Sequence, residues 1–200
     1  MVNKRHTSTP ASVFDRIYRE EPDPWHYTTS LYEQTKYKVT LAVLPKERYE
    51  RVFEIGCSIG VLTALLAPRC DILLAADHSS VALTYAEKRC ETFKNIIFAC
   101  MSIPDEFPSE AFDLILLSEV GFYWSREDLT IARANILHRL RSHGHLLLVH
   151  WTVPCKEHPL TADEVHEAFL HIPDAQLEHL LHLDAQMEQN SYRLDLFQRL

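Results

Sequence analysis

The chain has 200 residues, 46% apolar and 24% charged, a balance that describes one ordinary soluble domain able to bury a sizeable core. Its net charge of −8 argues against a general nucleic-acid or anionic-membrane binder, which depends on lysine and arginine clusters. The longest apolar runs, such as Leu114 to Leu117 and Leu146 to Val149, fall far short of the roughly 20 residues that cross a bilayer, and five cysteines with no C-x-x-C pair and no signal peptide point to a reducing cytoplasm.

In chain order, residues 1–11 lack periodicity and read as a flexible arm. Residues 12–45 are helical in pattern, interrupted by Pro22 and Pro24 and rich in aromatic side chains, and are expected to form a helical cap over the active site. From residue 50 onward a single core alternates strand 51–55, helix 60–68, strand 71–76, helix 79–92, strand 96–100, strand 112–117, helix 126–140 and strand 145–150. Ser125 with Asp128 reads as a helix-capping pair, and Thr161 with Glu164 opens a helix to about Leu170. A strand near Leu177 to Met187 precedes a last strand in which Tyr192, Leu194 and Leu196 alternate with polar residues. The expected fold is therefore α/β: a Rossmann-like three-layer sandwich on a mostly parallel seven-stranded sheet with an antiparallel last strand, all in one domain.

Only four glycines occur, and two of them fall in Glu54-Ile55-Gly56-Cys57-Ser58-Ile59-Gly60, directly after the first strand. In an open parallel sheet the ligand lies outside the carboxyl ends of the strands, where this loop falls. A dinucleotide needs G-x-G-x-x-G, and here Ser58 and Val61 occupy the second and third glycine positions. Glu54 would also repel a pyrophosphate, whereas a cationic ligand would be favoured.

A hydrophobic strand, then E/D-x-G-x-G/S-x-G, then an acid ending the next strand, resembles the class I S-adenosylmethionine-dependent methyltransferases. Asp77, closing Leu73-Leu74-Ala75-Ala76, supplies that second acid. The resemblance implies that S-adenosyl-L-methionine is the cofactor, that Asp77 accepts from its ribose hydroxyls, and that Glu54 lies near its amino acid end. Gly56, Cys57, Ser58 and Gly60 then form the loop that approaches it, with His78 following Asp77. Ser58 replaces the commoner glycine. Many members carry an acid for the adenine amino group where this chain has Cys100-Met101-Ser102, so Met101 and Ser102 take that place; Met101 either packs on the adenine ring or belongs to the core. A structural turn in an unrelated α/β protein is the alternative for the loop.

Asp23-Pro24-Trp25 through Tyr32-Glu33, the Glu54 loop, and Ser118-Glu119-Val120 resemble the NodS-type nodulation methyltransferases over roughly residues 12–150. Members of that group N-methylate the free amine of a deacetylated amino sugar at the end of a chitin oligosaccharide, so the resemblance implies an amine of a small molecule or oligosaccharide as acceptor. An attacking amine must be neutral, and Glu119, ending the fourth strand, is a candidate to hold and deprotonate it, with His150 as a second candidate base. Trp25, Tyr32 and Tyr123 are the candidate substrate-facing aromatics, although most such residues are core. An O-methyltransferase, or a silent methyltransferase-like protein that binds the cofactor, remains open as an alternative. No metal is expected: His143-Gly144-His145 and His179-x-x-His182 join no ligand set.

Overall fold

The computed structural model describes residues 7–172 and 176–200. The chain forms two compact units, Pro10–Ser102 and Ile103–Leu200, the latter joined by residues 7–9.

The first unit opens with α1 (Ala11–Glu20) and α2 (Leu31–Ala42). Pro22 and Pro24 cannot continue a helix, and Asp23 turns the chain between them by accepting the Tyr27 and Thr28 amides and the Thr28 hydroxyl. Ser30 then caps α2, accepting from the Glu33 amide. Beyond it lie β1 (Tyr49–Ile55), α3 (Val61–Leu66), β2 (Cys70–Asp77), α4 (Ser80–Arg89) and β3 (Ile96–Cys100). The three strands are parallel, with Ile55 opposite Ala76 and Asp77 opposite Cys100, so their carboxyl ends finish together. The amides of Gly56 and Cys57 both donate to the Ala76 carbonyl, which lays the loop after β1 against the end of β2.

The second unit contains β4 (Phe112–Ser118), a 3-10 turn at Gly121–Tyr123, α5 (Arg126–Arg139), β5 (Leu140–Trp151), α6 (Ala162–Leu170), β6 (Leu177–Met187) and β7 (Asn190–Arg199). Leu114 to Leu117 and Leu146 to Val149 are almost completely buried, as continuous apolar runs in parallel strands should be. Both capping expectations are met: Ser125 accepts the Asp128 amide, and Thr161 with Glu164 forms a reciprocal capping box. Strand β5 begins five residues earlier than expected, across a register irregularity between Phe112 and Leu114. Its first part, Arg141 to Gly144, has no apolar alternation to announce it.

The strands follow the order β3-β2-β1-β4-β5-β7-β6, with β7 antiparallel to both its neighbours. That is the mostly parallel seven-stranded α/β sheet with an antiparallel last strand. Of the residues assigned to a flexible arm, 1–6 lie outside the described set. Thr9 and Ser8 are held: the Thr9 amide donates to the Tyr123 carbonyl, the Ser8 hydroxyl donates to Asp128, and it also accepts the Ser125 amide. Among the described residues no helix is long and apolar enough to cross a membrane, and all five cysteines are free thiols.

Gly60, the residue before α3, sits at φ 79°, and a Cβ there would stand 3.0 Å from the Ala86 backbone of α4. Left-handed backbone and close approach thus coincide, and G60A should cost about 2–4 kcal/mol. Urea denaturation checks this, and an unchanged midpoint would show that α4 yields without cost.

Candidate functional site

In the first unit Glu54 lies next to last in β1, Asp77 closes β2 with His78 after it, and Met101 and Ser102 follow β3. Gly56 and Gly60 both take positive φ, and so does Ser58, at 51°. A serine in that region carries strain of roughly 1–2 kcal/mol, which explains why glycine is the commoner choice there. Two contacts hold it: its amide donates to Asp77 Oδ2 at 2.8 Å, and its hydroxyl shares a 2.6 Å hydrogen bond with Tyr18. Asp77 Oδ1 accepts the Ser79 amide at 2.8 Å. Each carboxylate oxygen therefore holds one amide, leaving geometric capacity for a further donor on each.

Glu54 is the electrostatic centre of this arrangement. Its side chain is 2% exposed, and its Oε2 is buried with no hydrogen-bond partner. Burial pushes the carboxyl up to about 7; the Thr63 hydroxyl draws it back and Asp77 adds to the rise. Asp77 is also raised, first by burial, against the pull of the Ser79 and Ser58 amides. Two carboxyls that resist ionisation beside one loop form a site that favours a cation. Cys57 is buried in a cluster with Ala75 and Leu83, and burial pushes its thiol well up, which makes it a packing residue rather than a nucleophile. The Met101 amide donates to the Asp77 carbonyl at 3.0 Å, while the Ser102 hydroxyl lies 3.5 Å from His78 Nε2.

Helix α1 reaches this loop through contacts that sequence reasoning did not anticipate. Besides Tyr18, Asp15 accepts a 2.6 Å hydrogen bond from Ser79, the cap of α4. Tyr18, Ile59 and Ala82 form a cluster against which Phe14, Trp25 and Tyr27 pack. Trp25 stands edge-on to Tyr18 with ring centres 5.5 Å apart. Tyr32 instead lies under the Lys36 ammonium, 5.0 Å from its ring centre, and Lys36 pairs with Glu33 at 3.0 Å. Trp25 thus joins the loop's packing, and Tyr32 belongs to the α2 ion pair.

In the second unit, Glu119 follows β4 with φ 58°, its amide bonded to the Val149 carbonyl and its Oε2 accepting the Trp151 amide at 2.9 Å. It therefore ties the ends of β4 and β5. Its charge also reaches Tyr123 and His158: burial pushes the Tyr123 phenol up and Glu119 adds to the rise.

His150, the second candidate base, is a buried histidine. The ring is 0% exposed, and both its nitrogens are engaged. The Gly121 amide donates to Nε2 at 3.0 Å, and Nδ1 faces His166 Nε2 at 2.9 Å; His166 Nδ1 in turn faces Asp195 Oδ2 at 2.6 Å. The ends fix the direction, because an amide can only donate and a carboxylate only accept. Both histidines are then neutral, each passing one N–H toward Asp195. Burial lowers the His166 pKa despite Asp195, consistent with that state. Gly121 could carry no side chain, since a Cβ would meet Val165 at 2.5 Å and His150 Nε2 at 3.1 Å.

Asp195, fully buried, also accepts from Arg193 Nε at 2.7 Å and from His179 and His182 at 2.7 and 2.9 Å. Burial opposes its charge, but the bonds from His166, His182 and Arg193 outweigh it and hold the carboxyl well below its usual range. A depressed acid stabilises the fold above its unfolded pKa and loses that contribution as pH falls through the folded value. D195N should therefore cost about 3 kcal/mol near neutral pH, and the difference from wild type should shrink below about pH 4. Denaturation midpoints across that range decide it; a difference independent of pH would sink the charge argument.

Sheet order, the loop after β1 and the acid ending β2 together define the fold of the class I S-adenosylmethionine-dependent methyltransferases. Within that class the chain belongs to the NodS family, whose model, described as Nodulation protein S (NodS), matches residues 10–157. Nodulation protein S from Bradyrhizobium diazoefficiens is 31% identical over 102 residues, covering 50% of this chain and 49% of the relative. The homologue from Rhizobium tropici is 28% identical over 127 residues, 62% of this chain and 53% of its own length. The chain thus spans about half the length of these curated relatives. The N-methyltransferase NodS from Bradyrhizobium japonicum WM9, solved in complex with S-adenosyl-L-homocysteine, superposes with a TM-score of 0.85 at 23% identity, over 96% of this chain and 99% of that one.

Proposed function

We propose that the chain is an S-adenosylmethionine-dependent N-methyltransferase of the cytoplasm, acting on an amine of a small molecule or amino sugar oligosaccharide. The observation that carries this reading is the orphaned, buried Oε2 of Glu54 beside a loop of left-handed residues. A buried carboxylate oxygen without a donor is costly, and an ammonium is the group that would satisfy it. The residues present therefore fit the cofactor.

Glu54 would take its α-ammonium and Asp77 would accept from the ribose hydroxyls. Gly56, Cys57, Ser58 and Gly60 would let backbone approach it, and His78, Met101 and Ser102 would be the residues on its adenine side. When bound, the sulfonium supplies an electrophilic methyl group and a neutral thioether as leaving group. The remaining work is alignment and proton removal from the acceptor. Glu119 holds the incoming ammonium, Tyr123 lines that site, and His150 acts one step back by securing Gly121. Trp25 and Tyr32 shape the cap, with Trp25 the nearer to the loop through Tyr18.

Calorimetry with S-adenosylhomocysteine is the direct test of the cofactor site. Since burial pushes the Glu54 carboxyl up to about 7 and it must ionise to pair with a cation, affinity should rise about tenfold from pH 6 to pH 8 with proton release. E54Q should weaken binding and flatten that dependence. Absence of binding at any pH would defeat the cofactor site.

For the acceptor, incubation with S-adenosylmethionine and a mono-deacetylated chitin tetrasaccharide should yield a product one methylene heavier, with fragmentation placing the methyl on nitrogen. A methyl ether or ester from another acceptor would favour the O-methyltransferase reading. Tight cofactor binding without turnover on any amine would favour a silent partner protein.

A further inference from the structure

We infer that His158 is the group that receives the proton lost by the acceptor's ammonium, working inside an aromatic enclosure with Glu119. The inference rests on the N-methyltransferase reading and names a residue that sequence reasoning did not single out.

His158 lies in the segment between β5 and α6, and its half-buried ring is stacked flat on Phe122, with centres 4.3 Å apart and planes 4° from parallel. Tyr123 meets it edge-on at 4.8 Å and Trp151 at 6.4 Å. The placement is held by backbone, since the Leu160 amide donates to the Phe122 carbonyl at 3.1 Å. Trp151 is pinned as well, its indole N–H donating to Asn190 at 3.2 Å.

What separates this ring from the buried histidines of the same unit is its nitrogens. His150 and His166 spend both of theirs in the chain to Asp195, whereas neither nitrogen of His158 has a hydrogen-bond partner among the described residues. An imidazole with aromatic contacts and no polar partner is oriented without being consumed. The groups that act on it are Glu119 after β4 and Glu157 on its own segment, with the Tyr123 phenol facing it from the 3-10 turn. Burial lowers its pKa and the two carboxylates pull it back, so the ring is a neutral base at neutral pH.

Aromatic faces beside the Glu119 carboxylate recognise an organic cation, here a primary ammonium. Holding that cation is half of the task. The N–H bond then breaks, its electron pair stays on the acceptor nitrogen, and the proton passes to an imidazole nitrogen of His158 and from there to water. Glu119, already bonded to the Trp151 amide, keeps the ammonium in place while the neutral imidazole takes the proton.

The test compares wild type with H158Q and H158A, using S-adenosylmethionine and a mono-deacetylated chitin tetrasaccharide. On the proposal, H158Q lowers kcat by about 100-fold or more with KM within about threefold, and H158A regains activity with added imidazole. The acid limb of the wild-type kcat profile disappears in both, while S-adenosylhomocysteine affinity is unchanged. An H158Q enzyme with wild-type kcat and its acid limb intact overturns the proposal.

If wild type leaves this sugar unmethylated, the acceptor reading fails on its own. His158 is then read by NMR of labelled imidazole with glucosamine as probe, in the presence of S-adenosylhomocysteine. A shift of the His158 signal in wild type and not in E119Q supports the enclosure. A signal that glucosamine does not move overturns it.

Discussion

A carboxylate placed where water cannot reach it is the constraint around which the first unit is organised. Glu54 is next to last in β1 and is as buried as its neighbours, yet its Oε2 has no hydrogen-bond partner. Such a residue opposes folding, because either its charge is desolvated or its proton must be retained. The surrounding loop bears further strain of the same purpose-built kind. Ser58 is held at positive φ by Asp77 and Tyr18, and Gly60 cannot be replaced without striking α4. Strain and unsatisfied polarity are thus concentrated in these seven residues.

The second unit handles its buried charge in the opposite way. Asp195 is as inaccessible as Glu54 but is saturated by His166, His179, His182 and Arg193, and its carboxyl is held low where that of Glu54 is raised. Through His166 and His150 its acceptor character is carried to the Gly121 amide, at the turn that bears Phe122 and Tyr123. One unit thus contains a buried carboxylate oxygen without a hydrogen-bond partner. The other contains a carboxylate whose partners position a turn.

Much of this was readable in the chain. Apolar runs of four in β4 and β5 marked buried strands because parallel strands are covered on both faces. Ser125 with Asp128 and Thr161 with Glu164 marked helix starts because capping bonds join residues three apart. Glu54, Gly56, Gly60 and Asp77 were legible for the same reason: the loop and the acid occupy fixed places relative to two adjacent strands. The polar beginning of β5 was not, since its residues follow no apolar period. Nor was the anchoring of Ser8 and Thr9, whose partners lie more than 100 residues away.

Sequence alone determined the element order, the α/β class, the family and the loop in which a cofactor is expected, because each depends on local spacing, strand periodicity or motif. Tertiary structure decided what individual side chains are available to do. It placed His150 in a buried chain to Asp195, gave Tyr32 to Lys36, turned Glu119 toward the Trp151 amide, and left the nitrogens of His158 without partners among the described residues. A histidine's letter specifies a base. Only the contacts made across strands distant in sequence determine whether its lone pair is already used.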